Sequence, residues 1–413
     1  MSESNLSENM NFVSGGVCAP RGFMANGIHC GIRKNKSKLD LALIYSEETC
    51  TAAAVYTQNL VFGAPISVTK DSLKNNKAKA VVCNSGIANT CSADGMEKAL
   101  AMRDLTAKAL GISAEDVIVA STGVIGKSLD LEPIEMGLPA LVRGLSLEGS
   151  DLAAKAIMTT DTRQKEYALE FKLGGKPCYI GAVSKGSGMI CPNMATMLSF
   201  MTTDVAIEAE ALQKALTAAV EDSFNMLSID GDTSTNDMAS IMANGLAGNE
   251  TITCESEDYK VFEEALKTVC TKLAREMARD GEGATKLIEC QIEGAASKEA
   301  ARAMARSVIN SALVKTAMFG EDANWGRIIC AMGYAGVDLD VSKVKIAFES
   351  AAGEIDVCEN GAALPFSEEK AAAILAEDEI LIRAILADGD GEAKAFGCDF
   401  SYDYVKINGD YRT

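Results

Sequence analysis

A mixed α/β protein is predicted, and three observations predict it. Short β-type apolar runs alternate with longer stretches of helical period, which calls for layers of helices on sheets. The 413 residues are 48% hydrophobic, enough for a large core in two or more structural units. Neither a repeat of fixed period nor a low-complexity linker interrupts the chain.

Residues 40–46 (DLALIYS), 78–84 (AKAVVCN) and 116–121 (DVIVAS) are compact apolar runs bounded by polar residues or glycine, the pattern of buried strands. Residues 96–110 carry Ala101, Leu105 and Ala109 on one stripe and stop at Gly111, an amphipathic helix with a glycine after its last turn. Residues 179–184 read as a strand, the Lys185-Gly186-Ser187-Gly188 stretch as a turn, and MLSFMTTDV (197–205) as another strand. Phe262, Leu266, Val269, Leu273 and Met277 mark a second long helix closed by Gly281. Ser297 opens a further helix, expected to run through Arg306 and Asn310 towards Phe319. Residues 345–348, 354–357 and 395–407 read as strands, and the Asp-Gly pairs among them suggest hairpins.

The balance of 39 Lys+Arg against 58 Asp+Glu gives a net charge of -19, which repels nucleic acid and anionic membranes. With a polar N-terminal stretch and no apolar run near the ~20 residues that span a bilayer, a cytoplasmic chain is expected. The 13 cysteines contain no CxxC pair, so reduced thiols are expected rather than a disulfide framework or a structural zinc site. Cys83, Cys330 and Cys398 lie among apolar neighbours and are expected in the core.

A single histidine, His29, is present, so any Ser-His-Asp or Cys-His catalyst would have to be built around it. Threonine offers another route: released as a new N-terminus, it is nucleophile and base at once. Thr196 stands after Ala195 at the mouth of a β-like run, preceded by Gly186, Gly188 and Pro192. Two readings stay open for this stretch, a Gly-Pro loop between strands or a self-cleaving Ala195-Thr196 bond. Thr122-Gly123 follows a strand and can aim a hydroxyl and a backbone N–H at one oxygen, or simply turn the chain. Asp280-Gly281-Glu282-Gly283-Ala284-Thr285-Lys286 fails the phosphate-loop spacing and follows a helix; a carboxylate there either contacts an amine or is solvated. Residues 229–237 (IDGDTSTND) lack the glycine and closing glutamate of a calcium loop. Polar packing of a turn is expected there, and no metal.

Taken together, these pieces resemble the ornithine acetyltransferase (glutamate N-acetyltransferase) family of arginine biosynthesis. The likeness runs from Gly16-Val17-Cys18-Ala19-Pro20-Arg21-Gly22-Phe23 through Asn84-Ser85-Gly86, Ser121-Thr122-Gly123 and Met158-Thr159-Thr160-Asp161-Thr162. It continues through KGSGMI (185–190), ATML (195–198), Ser228-Ile229-Asp230-Gly231-Asp232, the Asp280 to Lys286 segment and Asn324-Trp325-Gly326-Arg327, to Asn408-Gly409-Asp410-Tyr411-Arg412-Thr413. Ile87 and Gly409 depart from the family's usual Asn and Ala, which bears on local loop shape.

The resemblance implies an α/β fold of the helix-sheet-sheet-helix sandwich type with a mixed α+β C-terminal part. It implies self-cleavage between Ala195 and Thr196 into an α fragment (1–195) and a β fragment (196–413), assembled as an α2β2 heterotetramer. Thr196 would be the acetyl-carrying nucleophile with its own α-amine as base, and Thr122 with Gly123 the oxyanion pair. Thr162, Lys185, Thr196, Glu282, Asn408 and Thr413 would contact substrate, so that loss of the last residues should damage the site. The implied reaction moves acetyl from N-acetyl-L-ornithine to L-glutamate without a coenzyme, acetyl-CoA being a further donor in some relatives. Two other functions are carried forward: an amidase or aminopeptidase with the same threonine, and an uncleaved small-molecule binding protein.

Overall fold

The computed structural model describes residues 10–191 and 197–410. Its first half supplies β1 (Asn11–Val13), β2 (Phe23–Ile28), β3 (Leu41–Tyr56), α1 (Ala64–Ser72), β4 (Lys77–Ile87), α2 (Gly95–Leu110), β5 (Val117–Val124), α3 (Glu132–Arg143), α4 (Ser150–Ile157), β6 (Lys165–Leu173) and β7 (Lys176–Lys185). There follow β8 (Leu198–Thr203), α5 (Ala209–Glu221), β9 (Leu227–Ser228), β10 (Met238–Ala243), α6 (Asp258–Arg279), β11 (Leu287–Ala295), α7 (Lys298–Asn310), α8 (Ala312–Phe319) and α9 (Trp325–Gly333). The chain ends in β12 (Lys345–Ser350), β13 (Gly353–Glu359), β14 (Ala362–Ala363), α10 (Glu368–Leu375), β15 (Glu379–Ile385), β16 (Gly391–Cys398) and α11 (Tyr402–Asp410).

Among the described residues one sheet has nine strands in the order β1-β6-β7-β8-β10-β3-β4-β5, with β2 beside β3. This sheet is folded over on itself. Five strand spacings of about 4.8 Å would hold β5 roughly 24 Å from β7 in a flat sheet, yet Lys185 Nζ at the end of β7 lies 3.4 Å from Thr122 Oγ1 on β5. The bend falls in β3, whose pairing with β4 jumps between Tyr45 and Cys50. One apolar cluster accordingly holds Val81, Cys83, Ile118 and Ala120 of one layer with Val183, Leu198, Phe200 and Met238 of the other, and α4 is wedged in through Ala153, Ala156 and Ile157. The outer face of one layer is covered by α5 and α6, that of the other by α2 and α3. Helix, sheet, sheet and helix thus stack as expected.

The second sheet has seven strands in the order β14-β13-β12-β15-β11-β16-β9 and packs α7 to α10 on one face around Ile288, Ile292, Met304, Val308 and Phe348. It forms the expected α+β C-terminal part. Among the described residues no helix is long and apolar enough to cross a membrane.

Several helix boundaries follow the chemistry read from the sequence. Gly111 closes α2 in the left-handed region (φ 70°), and Ser297 Oγ accepts the Ala300 N–H to open α7. Other expectations are corrected. The helix from Ser297 does not run on to Phe319, because Ser311 leaves the helical region (ψ 112°) and caps α8 by accepting the Val314 N–H. Residues 395–407 are not one strand: β16 stops at Cys398, and Ser401 Oγ accepts the Asp403 N–H to start α11. There the rings of Phe400 and Tyr404, four residues apart, stack at 4.9 Å. The Asp-Gly pairs at 388–391 close no hairpin, since β11 lies between β15 and β16; β12 and β13 do form one. Cys83 and Cys398 are buried as expected, but Cys330 is exposed, because α9 turns Ile328, Ala331 and Met332 inward instead.

Candidate active site

Folding the sheet brings the ends of β4, β5 and β7 together. The two parallel strands β4 and β5 extend beyond the apolar runs, so that Ser85 stands opposite Thr122 and Gly86 opposite Gly123. Gly123 has φ 130°, and a Cβ there would fall 2.3 Å from the Gly86 carbonyl carbon. Only glycine fits, and its backbone is free of side-chain cover. Thr122, a residue earlier, is 9% exposed and accepts the hydrogen bond from Lys185 Nζ.

Lys185 is itself 9% exposed, and among the described residues no carboxylate lies within ion-pairing distance of it. A buried ammonium in that state favours an incoming anion. The turn that follows it is anchored from behind. Gly186 N–H donates to Asp161 Oδ1 at 2.7 Å, and Asp161 also accepts the Thr159 N–H at 2.9 Å. Lys165, 2% exposed in its side chain, joins Asp161 at 2.8 Å to Asp280 at 2.6 Å. Asp280 in turn holds Thr162 through its N–H and its hydroxyl. Burial would raise the Asp161 carboxyl, but the charges of Lys165 and Lys185 and the donated hydrogen bonds outweigh it and hold the group well below the ordinary carboxylate range.

On the far side of the turn, Glu282 N–H donates to Ser187 O at 2.7 Å. Its carboxylate accepts from Asn408 Nδ2 at 2.8 Å and lies where a Cβ on Gly188 would approach within 2.4 Å. The backbone therefore passes closely over the acid. Thr122, Gly123, Thr162, Lys185, Glu282 and Asn408 are thus gathered around the 185–188 turn. Ala195, Thr196 and Thr413 lie outside the described residues. The first described residue after Thr196, Met197, accepts the Met238 N–H at 2.9 Å, and Leu198 pairs with Lys185.

The 229–237 loop packs a turn with its polar side chains, as expected. Asp230 accepts the N–H groups of Met189 and Ile190 at 2.6 and 2.8 Å. Asn236 reaches across the fold to Ala88 O and Ser121 O at 2.7 and 3.0 Å, tying β5 to the start of β10. Sequence reasoning assigned no role to Asp161, Lys165, Asp280 or Asn236. The one local signal was a lysine opening an otherwise alternating strand, KEYALEFKL.

The sequence profile of the ArgJ family matches residues 24–413. An arginine biosynthesis bifunctional protein ArgJ from Symbiobacterium thermophilum is 50% identical over 406 residues, covering 98% of this chain and all of the relative. Its counterpart from Bacillus subtilis is 49% identical over 403 residues, 97% of each chain. Among solved structures, an ArgJ chain from Bacillus halodurans is 49% identical with a TM-score of 0.50, all of it aligning with 52% of this chain. The ornithine acetyltransferase of Mycobacterium tuberculosis, complexed with ornithine, is 36% identical with a TM-score of 0.42, all of it aligning with 45% of this chain. The family profile and the two ArgJ relatives near 50% identity make the chain an acyltransferase of amino-acid biosynthesis. The chain belongs to the ArgJ family, and is a bifunctional glutamate N-acetyltransferase of arginine biosynthesis.

Proposed function

We propose that this enzyme carries acetyl from N2-acetyl-L-ornithine to L-glutamate in two half-reactions through an ester on Thr196, after cleaving itself between Ala195 and Thr196. The observation that carries the reading is the buried Lys185, without a carboxylate in ion-pairing distance among the described residues, one hydrogen bond from Thr122 and beside the constrained Gly123. Lys185 pairs with the substrate α-carboxylate. Glu282, steadied by Asn408, takes the cationic side chain of the donor, and Thr162 and Thr413 complete the contacts.

Self-cleavage begins when the Thr196 hydroxyl attacks the Ala195 carbonyl; the C–N bond breaks as an ester forms, which frees the threonine amine, and water then hydrolyses the ester to restore the hydroxyl and leave a carboxylate on Ala195. In the first half-reaction that amine takes the hydroxyl proton as Thr196 Oγ attacks the acetyl carbon. The Thr122 hydroxyl and Gly123 N–H stabilise the oxyanion. The amide bond breaks, the proton passes to the departing nitrogen, and ornithine leaves. Glutamate's neutral amine then attacks the acetyl ester, the threonine amine accepts its proton, and N-acetyl-L-glutamate departs as the hydroxyl is restored. No coenzyme is required. Acetyl-CoA serves as the further donor in the same site, and the two fragments work in the cytoplasm as an α2β2 heterotetramer.

The test is product analysis with isotope-labelled glutamate. Labelled N-acetylglutamate formed from N-acetylornithine supports the transfer; acetate released at a rate indifferent to glutamate overturns it in favour of an amidase.

A further inference from the structure

We propose that Asn236 is a positioning residue for acyl transfer: its side-chain amide fixes where the Thr122 hydroxyl and the Gly123 N–H stand relative to the strand that begins just after Met197, and so sets the rate at which the acetyl group is taken up. The inference deepens the oxyanion reading of Thr122 and Gly123 given above and rests on it.

Asn236 is 6% exposed, and its amide uses two donor and two acceptor positions, all that it has. The Nδ2 group donates to Ala88 O at 2.7 Å and to Ser121 O at 3.0 Å. Oδ1 accepts from the hydroxyls of Thr90 and Thr235 at 2.5 and 2.6 Å. A turned amide would set its oxygen against two carbonyl oxygens, so one orientation is fixed. The backbone of Gly63 packs directly on it, since a Cβ there would fall 2.7 Å from Asn236 Nδ2.

Ser121 O belongs to the peptide that joins Ser121 to Thr122, so the amide grips β5 immediately before its first oxyanion donor. The same stretch is held from two further directions. Ser121 Oγ donates to Asn84 Oδ1 at 2.6 Å, and Ala88 N–H donates to Val124 O at 2.9 Å. At the other end of the tie the backbone is the anchor. Thr235 O accepts the Gly63 N–H and Asp237 O the Thr57 N–H, each at 3.0 Å, while the Met238 N–H donates to Met197 O at 2.9 Å. From there β10 runs parallel to β8, with Met238 opposite Leu198.

The sheet order places β3 and β4 between β10 and β5. Three strand spacings would hold the two roughly 14 Å apart in a flat sheet, beyond the reach of an asparagine. Folding closes that gap, and Asn236 fastens it. Oxyanion donors count only where they meet the developing charge, and a misplacement of about 1 Å can cost 10²-fold in rate.

The test is single-turnover acetylation of the self-cleaved enzyme by N-acetyl-L-ornithine without glutamate, read by the mass of the 196–413 fragment. In Asn236→Ala the full acetyl amplitude is expected, reached about 10²-fold more slowly than in wild type, with the half-saturating donor concentration unchanged. Thr90→Val keeps the shape of the side chain and removes one of the two hydroxyls on Oδ1; a roughly tenfold slowing is expected, the size of one hydrogen bond. A reduced amplitude reached at the wild-type rate is the mark of a damaged fold and overturns the proposal, as does a wild-type rate at full amplitude in either variant. If Asn236→Ala yields no cleaved enzyme, Thr90→Val decides by the same readings. Thr122→Ala separates the two levels of the argument. If it leaves the rate unchanged, the oxyanion reading fails; if it slows the rate while both other variants track wild type, only the role of Asn236 fails. In the Thr122→Ala background Asn236→Ala should cost less than it does alone, and an equal cost overturns the proposal.

Discussion

Replacing Lys165 by methionine removes the cation that two buried carboxylates share. The ammonium lies 2.8 Å from Asp161 and 2.6 Å from Asp280, and the side chains of the two acids are 0% and 3% exposed. Taking one partner out of a buried ion pair costs about 3–5 kcal/mol, because an uncompensated charge stays behind. Two are left here, so the upper end of that range is expected, against a total stability of about 5–15 kcal/mol for a typical domain. Urea denaturation of both proteins at pH 7 measures it. Adding Asp280→Asn to the variant should restore part of the loss, a coupling of about 1–3 kcal/mol in the double-mutant cycle.

The pH dependence has a definite sign. Because the folded structure holds the Asp161 carboxyl below its ordinary value, it contributes stability that is present above the unfolded pKa of about 3.9 and is lost as pH falls through the folded one. Without Lys165 the largest source of that contribution is lost, and protonation relieves the variant instead. The gap between wild type and variant should therefore narrow as pH falls from 7 towards 4. A penalty below about 1 kcal/mol, or a gap constant over that range, would refute the reasoning.

Three other outcomes are expected. Gly123→Ala should lower kcat by about 10²–10³, the effect of losing one oxyanion donor, with the fold checked by circular dichroism because the new Cβ presses on Gly86; an unchanged kcat removes Gly123 from the mechanism. Asn408→Ala frees the Glu282 carboxylate from its 2.8 Å hydrogen bond, so KM should rise roughly tenfold for N-acetylornithine, as expected for a lost hydrogen bond to a charged group, and less for glutamate; equal rises argue against Glu282 as the cation site. Brief maleimide labelling followed by peptide mapping should modify exposed Cys330 well before Cys83, whose thiol burial pushes up to about 12.

The layers were legible where a residue's own neighbours decide its state. Runs such as DVIVAS and the 3.6-residue stripe from Phe262 to Met277 reappear as β5 and α6, and Gly111 and Ser297 mark helix ends by local hydrogen bonding. The bend in β3 was not legible, because it arises from packing between strands far apart in sequence. The same holds for the anchoring chain of Asp161, Lys165 and Asp280, whose members are joined only when α6 closes over β6. At 399–402 a β-rich composition concealed a helix start, since Ser401 turns the chain by accepting a backbone N–H, a choice that depends on the strand ending at Cys398. The motif residues around the 185–188 turn were the readable part of the site, and the groups that hold them in place were not.

The central claim is a threonine made into a catalyst by breaking its own peptide bond. Intact-mass spectrometry of the purified protein, before and after brief exposure to N-acetyl-L-ornithine without glutamate, tests it most directly. The account predicts two fragments, residues 1–195 and 196–413, with one acetyl group gained on the second and lost again when glutamate is added. A single 413-residue species that takes up no acetyl group would contradict it.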